Sequence, residues 1–253
     1  MGVLEILIAV FTSICLSILS NFIVLRRYSL IADAFSHIAL PGIALSLIFS
    51  IDIFWGSLIF LILGALFIYL IEKKTSFYLE AIVGFIFLLS LAIGKIFIKD
   101  QELIESLFGN IKGISLNDFI LSTLILFFIL ISILRFKKEL ILVTLSEDLA
   151  ANYKIKKHTV DLFLLFMVAL AVSLGIKIVG VLLVGSYLII CPLFSSLFAK
   201  SFNQLILFSI FFGFLTSILG LIFSINLNFE FGPVLVIVQS LIFLLGFFIK
   251  NLL

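Results

Sequence analysis

The sequence predicts an all-α, polytopic membrane protein, and three observations carry that prediction. Hydrophobic residues make up 64% of the 253 residues, and charged residues only 12%. The mean hydropathy is +1.44, more apolar surface than a water-soluble core can hide. The apolar residues also gather into long blocks, each able to cover a bilayer core of about 30 Å as a helix, with tilt in the longer ones.

The blocks fall near 4–25, 34–51, 53–71, 79–98, 116–134, 160–176, 178–198, 204–225 and 231–249. The first is long enough to span, and no small-residue cleavage site marks it as a signal peptide. The stretch 160–198 is ambiguous. Only Gly175, Lys177 and Gly180 interrupt it, so it reads as two spans, or as one span with a re-entrant or half helix. The total is therefore eight to nine spans in one transmembrane domain, 1–253, with no separate soluble domain.

Orientation follows from Lys and Arg. With nine spans and the N-terminus outside, twelve of the sixteen basic residues share one side, among them Arg26, Arg27, Lys73, Lys74, Arg135, Lys137 and Lys156. Lys95, Lys99, Lys112 and Lys177 fall on the other. The positive-inside rule puts the larger set in the cytoplasm. The longest cytoplasmic segment is then 135–159, and the outer loop 99–115 carries Asp100, Glu102 and Glu105. Trp55 and Tyr28 fit aromatic belts at opposite interfaces, and Lys177 reads as a loop or snorkelling residue.

Several chemistries are absent. There is no P-loop, no His-Glu-x-x-His, no Gly-x-Ser-x-Gly and no Cys-x-x-Cys. Cys15 and Cys191 lie inside apolar runs and read as small buried hydrophobes. Energy for active transport has to come from a partner or an ion gradient. No nucleic-acid partner and no covalently bound cofactor are expected.

The most informative turn is in the second block. Asp33 and His37 are spaced i, i+4 and share a helical face. Pro41 has no N–H for the His37 carbonyl, which predicts a kink at Pro41 and Gly42. Carboxylate, imidazole and freed carbonyl at one bend suit a divalent cation. The plainer reading pairs Asp33 with Arg26 or Arg27 at the interface. Two ligands fall short of the four that zinc prefers, so water, another helix or a second copy has to supply the rest. Pro192 predicts a second helix irregularity.

The 135–159 segment predicts a short helix. Ser146 is a good N-cap, Glu147 and Asp148 follow in the first turn, and Leu149 and Tyr153 share a face. Glu80 opens a span and suits its N-terminal dipole. Gly175, Gly180 and Gly185 suit close helix packing.

Four stretches in order resemble the permease subunit of the zinc-, manganese- and iron-type ABC transporters. They are Val24-Leu25-Arg26-Arg27 through Asp33-Ala34-Phe35-Ser36-His37 to Leu40-Pro41-Gly42; Glu80-Ala81-Ile82-Val83-Gly84; Leu107-Phe108-Gly109-Asn110-Ile111; and Val179-Gly180-Val181-Leu182-Leu183-Val184 leading to Pro192. The first is specific. Leu149-Ala150 and Phe231-Gly232-Pro233 add support. The chain departs from the family at Ser146, where an acid is usual, and at Lys154, where glycine is usual. Around Pro192, Cys191, Phe194, Ser195 and Ser196 replace small alanines.

The resemblance implies a multi-pass permease of a prokaryotic inner membrane that does no covalent chemistry. It implies a homodimer with the pathway near its interface, a separate cytoplasmic ATPase, and an extracytoplasmic metal-binding protein that delivers the ion. Asp33 and His37 would be the transit ligands for Zn²⁺, Mn²⁺ or Fe²⁺. Glu147, Asp148, Leu149, Ala150 and Tyr153 would couple to the ATPase. A secondary transporter or channel, a membrane enzyme, and a cobalamin or siderophore permease are the competing readings. The first wants buried charges deep in other spans, and the second wants a cluster of polar catalytic residues. The third has no evident need of Asp33 and His37.

Overall fold

The computed structural model describes residues 3–26, 28–75, 77–97 and 116–252. Lys99, Lys112, Asp100, Glu102, Glu105 and the Leu107–Ile111 stretch lie outside them, as does Arg27. All regular structure among the described residues is helical. The helices are α1 (Val3–Leu25), α2 (Ser29–Ile38), α3 (Leu40–Phe49), α4 (Ile53–Lys74), α5 (Leu79–Phe97) and α6 (Leu116–Arg135). There follow α7 (Lys137–Leu145), α8 (Glu147–Asn152), α9 (Lys157–Val179), α10 (Val181–Phe198), α11 (Phe202–Leu227) and α12 (Phe231–Leu252).

Among the described residues, eight stretches are long and apolar enough to cross a bilayer, with α2 and α3 together forming one of them over Leu30–Phe49. The ambiguous 160–198 stretch resolves into two helices, α9 and α10. Gly180 alone joins them at φ 95°, a left-handed conformation that glycine adopts without a Cβ penalty. A Cβ at Gly175 would run into the Val184 side chain, so α10 folds back beside the end of α9. At 18 residues, α10 is about 27 Å long and shorter than its neighbours.

α1 lies against α6, α9, α10 and α11 at the centre of the bundle. Its inward face is polar, which membranes favour because packing and hydrogen bonds, not hydrophobicity, join helices there. The Ser209 hydroxyl of α11 donates to Asn21 Oδ1 of α1 (2.9 Å) and lies 2.8 Å from Ser195 Oγ of α10. Ser17 donates to the Cys191 sulfur at 3.4 Å, and Tyr187 and Ser217 are bonded at 2.6 Å. A side chain at Gly213 would collide with Ser17, so α1 and α11 approach closely there. Both cysteines are free and buried, as the sequence predicts. The outward faces of α5, α6 and α12 present Leu88, Phe127, Ile131, Leu241 and Phe248, the surface that lipid requires.

The two ends of the bundle differ in charge. At one, Arg26, Glu72, Glu80, Ser146, Lys157 and Asp161 line a cavity of about 420 Å³ that gathers the ends of α1, α4, α5, α7 and α9. The other end has a different knot. Lys177 of α9 reaches Asp52, the N-cap of α4, at 2.5 Å and Asp118 in the first turn of α6 at 2.7 Å. Lys177 is thus an ion-pair hub and not a snorkelling residue. Lys73, Lys137 and Lys157 lie at the first end and Lys177 at the second, which matches the split read from the sequence.

Candidate metal-transit and coupling sites

The α2–α3 segment breaks at Ala39, ahead of Pro41. Ala39 stays near helical dihedrals (φ −69°, ψ −24°) and its N–H reaches Phe35 O at 3.2 Å. Pro41 is within the first two residues of α3, the position where its missing N–H costs least. Gly42 is not part of the bend. A Cβ there would strike the backbone of Gly56, so this glycine lets α3 and α4 cross backbone to backbone. Pro192 likewise breaks nothing; α10 continues through it, and the Ser195 hydroxyl donates to its carbonyl at 3.0 Å.

On α2, the face that packs inward carries Ile31, Ala32, Ala34, Phe35 and Ile38, all buried. Asp33 is exposed on the opposite side, and His37 is half-buried one turn further on. The His37 ring stands edge-on to Phe87 of α5, with centroids 4.9 Å apart and planes at 88°. Its Nδ1 is buried and has no hydrogen-bond partner. The exposed row continues onto α10, which packs against α2. There Gly185 and Ile189 are half-buried, and Leu193 and Ser196 are exposed. Asp33 and His37 therefore lie on an outward face shared by two helices. Among the described residues no three His, Cys, Asp or Glu side chains are grouped to hold a metal.

The 135–159 segment forms two helices. Ser146 Oγ accepts the Leu149 N–H at 3.4 Å, the cap that the sequence predicts for α8. Leu149 and Tyr153 point outward, 48% and 61% exposed, and Lys138 Nζ sits 5.2 Å from the Tyr153 ring. Asp148 is exposed. Ala150 faces the other way at 1% exposure, so it anchors α8 to the bundle instead of joining its outer face. Lys154 closes the helix at φ 57°. This is where the resembled family has glycine, and the conformation explains that preference.

One residue read from sequence changes role. Tyr28 is buried beside the cavity that Asp161 also lines, and is not part of an aromatic belt. Asp161 itself was not singled out by motif reading. It forms a buried ion pair with Arg26. The available signal was a carboxylate placed just inside an apolar run.

Known proteins share this fold and much of this sequence. The family described as ABC 3 transport family matches residues 3–250. The chain is 32% identical over 249 residues to the manganese import system permease protein ScaB of Streptococcus gordonii, covering 95% of this chain and 90% of that one. It is 32% identical over 235 residues to the high-affinity zinc uptake system membrane protein ZnuB of Buchnera aphidicola from Schizaphis graminum, covering 90% of each. Among solved structures, PsaBC from Streptococcus pneumoniae in complex with Fab superposes with a TM-score of 0.85 at 30% identity, covering 96% of this chain and 89% of that one.

Proposed function

This chain belongs to the ABC 3 transport family, and from that premise we propose that it is the permease subunit of an ATP-driven importer for a divalent transition metal, with the ion passing Asp33 and His37. The relatives are named for manganese, zinc and chelated iron, and a carboxylate–imidazole pair accepts all three metals. The observation that carries the reading is the placement of both side chains on one outward face of a membrane helix.

An ionised carboxylate on the lipid side of a membrane helix is costly, by about 3 kcal/mol on insertion scales at the helix centre and by less toward the end where Asp33 lies. A second copy covering α2 and α10 removes that cost, and it also supplies a second Asp33 and His37. The dimer would then hold four side-chain donors where one chain holds two, which suits a tetrahedral or higher coordination. The pathway lies along the covered face. Neutral imidazole and ionised carboxylate are the ligand forms of the two groups.

Work is supplied by a separate ATPase at the Lys- and Arg-rich end, which docks on the outer face of α8 through Leu149 and Tyr153. An extracytoplasmic metal-binding protein delivers the ion at the end marked by Lys177. The permease positions, binds and releases; it breaks no bond. The test is complementation. Cells stripped of their own manganese, zinc and iron importers, given this chain with a cognate ATPase and binding protein, should accumulate one of those metals. Accumulation of none, with all three proteins in the membrane fraction, contradicts the reading.

A further inference from the structure

The Arg26–Asp161 pair is buried on both sides, with side chains 5% and 2% exposed. Such pairs rarely add net stability, because taking two charges out of water costs about as much as their attraction returns. Their value lies in geometry, and here the geometry joins four segments. Arg26 follows the last residue of α1, and Asp161 lies in the second turn of α9. Arg26 Nε also donates to Thr144 Oγ1 at 3.2 Å, in the last turn of α7 and two residues before the Ser146 cap of α8. Tyr28, on the link that opens α2, is buried and lines the same cavity as Asp161. Burial, then the Asp161 carboxylate, push the Tyr28 phenol above its ordinary range, so it stays a proton donor.

α2 itself is short, 10 residues or about 15 Å. Its far end meets α3 at Ala39, just ahead of Pro41. A short helix tied at one end and interrupted at the other is a lever. We infer that Arg26, Asp161, Tyr28 and Thr144 form the junction through which the coupling segment swings α2, and with it Asp33 and His37, about the Ala39–Pro41 break. The four are positioning residues.

This rests on the proposed reading that α8 meets the ATPase and that metal passes α2. The test uses the permease–ATPase complex in proteoliposomes, with manganese as the probe. The double variant Arg26→Met/Asp161→Leu replaces the pair by apolar side chains, a change that buried ion pairs commonly tolerate. It should bind the ATPase and hydrolyse ATP as the parent does. Manganese accumulated per ATP should fall by about tenfold, near the upper range for residues that only transmit coupling. A spin label at the exposed Leu30 should shift with ATP relative to one at Ile120 on α6 in the parent, and should not shift in the double variant. Parental manganese per ATP, or a parental ATP-dependent shift, overturns the inference.

Should the double variant fail to reach the membrane, Tyr28→Phe with Thr144→Val removes only two hydroxyls. It should lower manganese per ATP by about threefold at unchanged expression, and a parental ratio overturns the inference in that form. The readings beneath it fail differently. If α8 is not the docking helix, Leu149→Glu/Tyr153→Glu keeps the ATPase bound. If α2 is not the pathway, Asp33→Leu transports normally. Neither result depends on Arg26.

Discussion

Asp33 and His37 were legible in the sequence because their spacing and the nearby proline are local facts. Their surroundings were not. That His37 stands against Phe87 depends on how α2 packs on α5, which no local pattern states. Asp161 escaped notice for a related reason: a carboxylate near a span end has many surface explanations, and only the fold brings Arg26 to it. Lys154 adopts φ 57° where the resembled family usually has glycine, and only the structure shows that backbone state. A left-handed conformation costs a non-glycine residue about 1 kcal/mol, and glycine returns part of that gain as unfolded-state entropy. Lys154→Gly is therefore expected to leave thermal stability equal or slightly higher. Lys154→Val should lower it by about 1 kcal/mol, since β-branched side chains suit that region worst. Melting curves of the purified variants decide this.

At the scale of helices, eight of the nine apolar blocks map onto the observed crossing segments because bilayer thickness sets their length, and the block 178–198 forms the shorter α10. Where the chain offered a choice, the deciding contact was tertiary. The α9–α10 turn needs both the left-handed Gly180 and the space beside Gly175 for Val184. Pro192 illustrates a limit of residue propensity: the helix Val181–Phe198 runs through it, so a proline in a membrane helix need not break it. Gly42, expected at a bend, turned out to serve a helix crossing. α8 behaves as its capping pattern implies, with Ser146 bonded to Leu149 and an apolar pair facing out. Ser146→Ala should cost about 1 kcal/mol of local helix stability. Replacing Leu149 and Tyr153 by Glu should leave the bundle folded, because neither is part of the core, while ATP hydrolysis no longer drives uptake. Unchanged binding of the ATPase and unchanged uptake in that double variant would remove α8 from the coupling path.

For the molecule as a whole, charge separates the ends and polarity joins the middle. The Lys177 knot and the Arg26 cavity mark opposite ends of the bundle, so the positive-inside orientation is directly testable. Cysteines placed at Lys74, Lys137 and Lys156 should resist an impermeant thiol reagent applied to intact cells, and one placed at Ser50 should react. Labelling of the first three would invert the topology. An ABC importer permease also has to change access without coming apart, and the hydrogen-bonded seam between α1, α10 and α11 is suited to remain intact while α2 moves. The central claim is that divalent metal passes in contact with the Asp33–His37 turn. Its most direct test is manganese uptake into proteoliposomes holding the permease with its ATPase and binding protein, comparing the parent with Asp33→Leu and His37→Leu. Both substitutions ease membrane insertion, so both variants should be recovered at parental levels, with uptake reduced by at least about a hundredfold, the upper end for loss of a metal ligand's support. Parental uptake by both variants at equal protein would show that the turn is structural and that the ion takes another route.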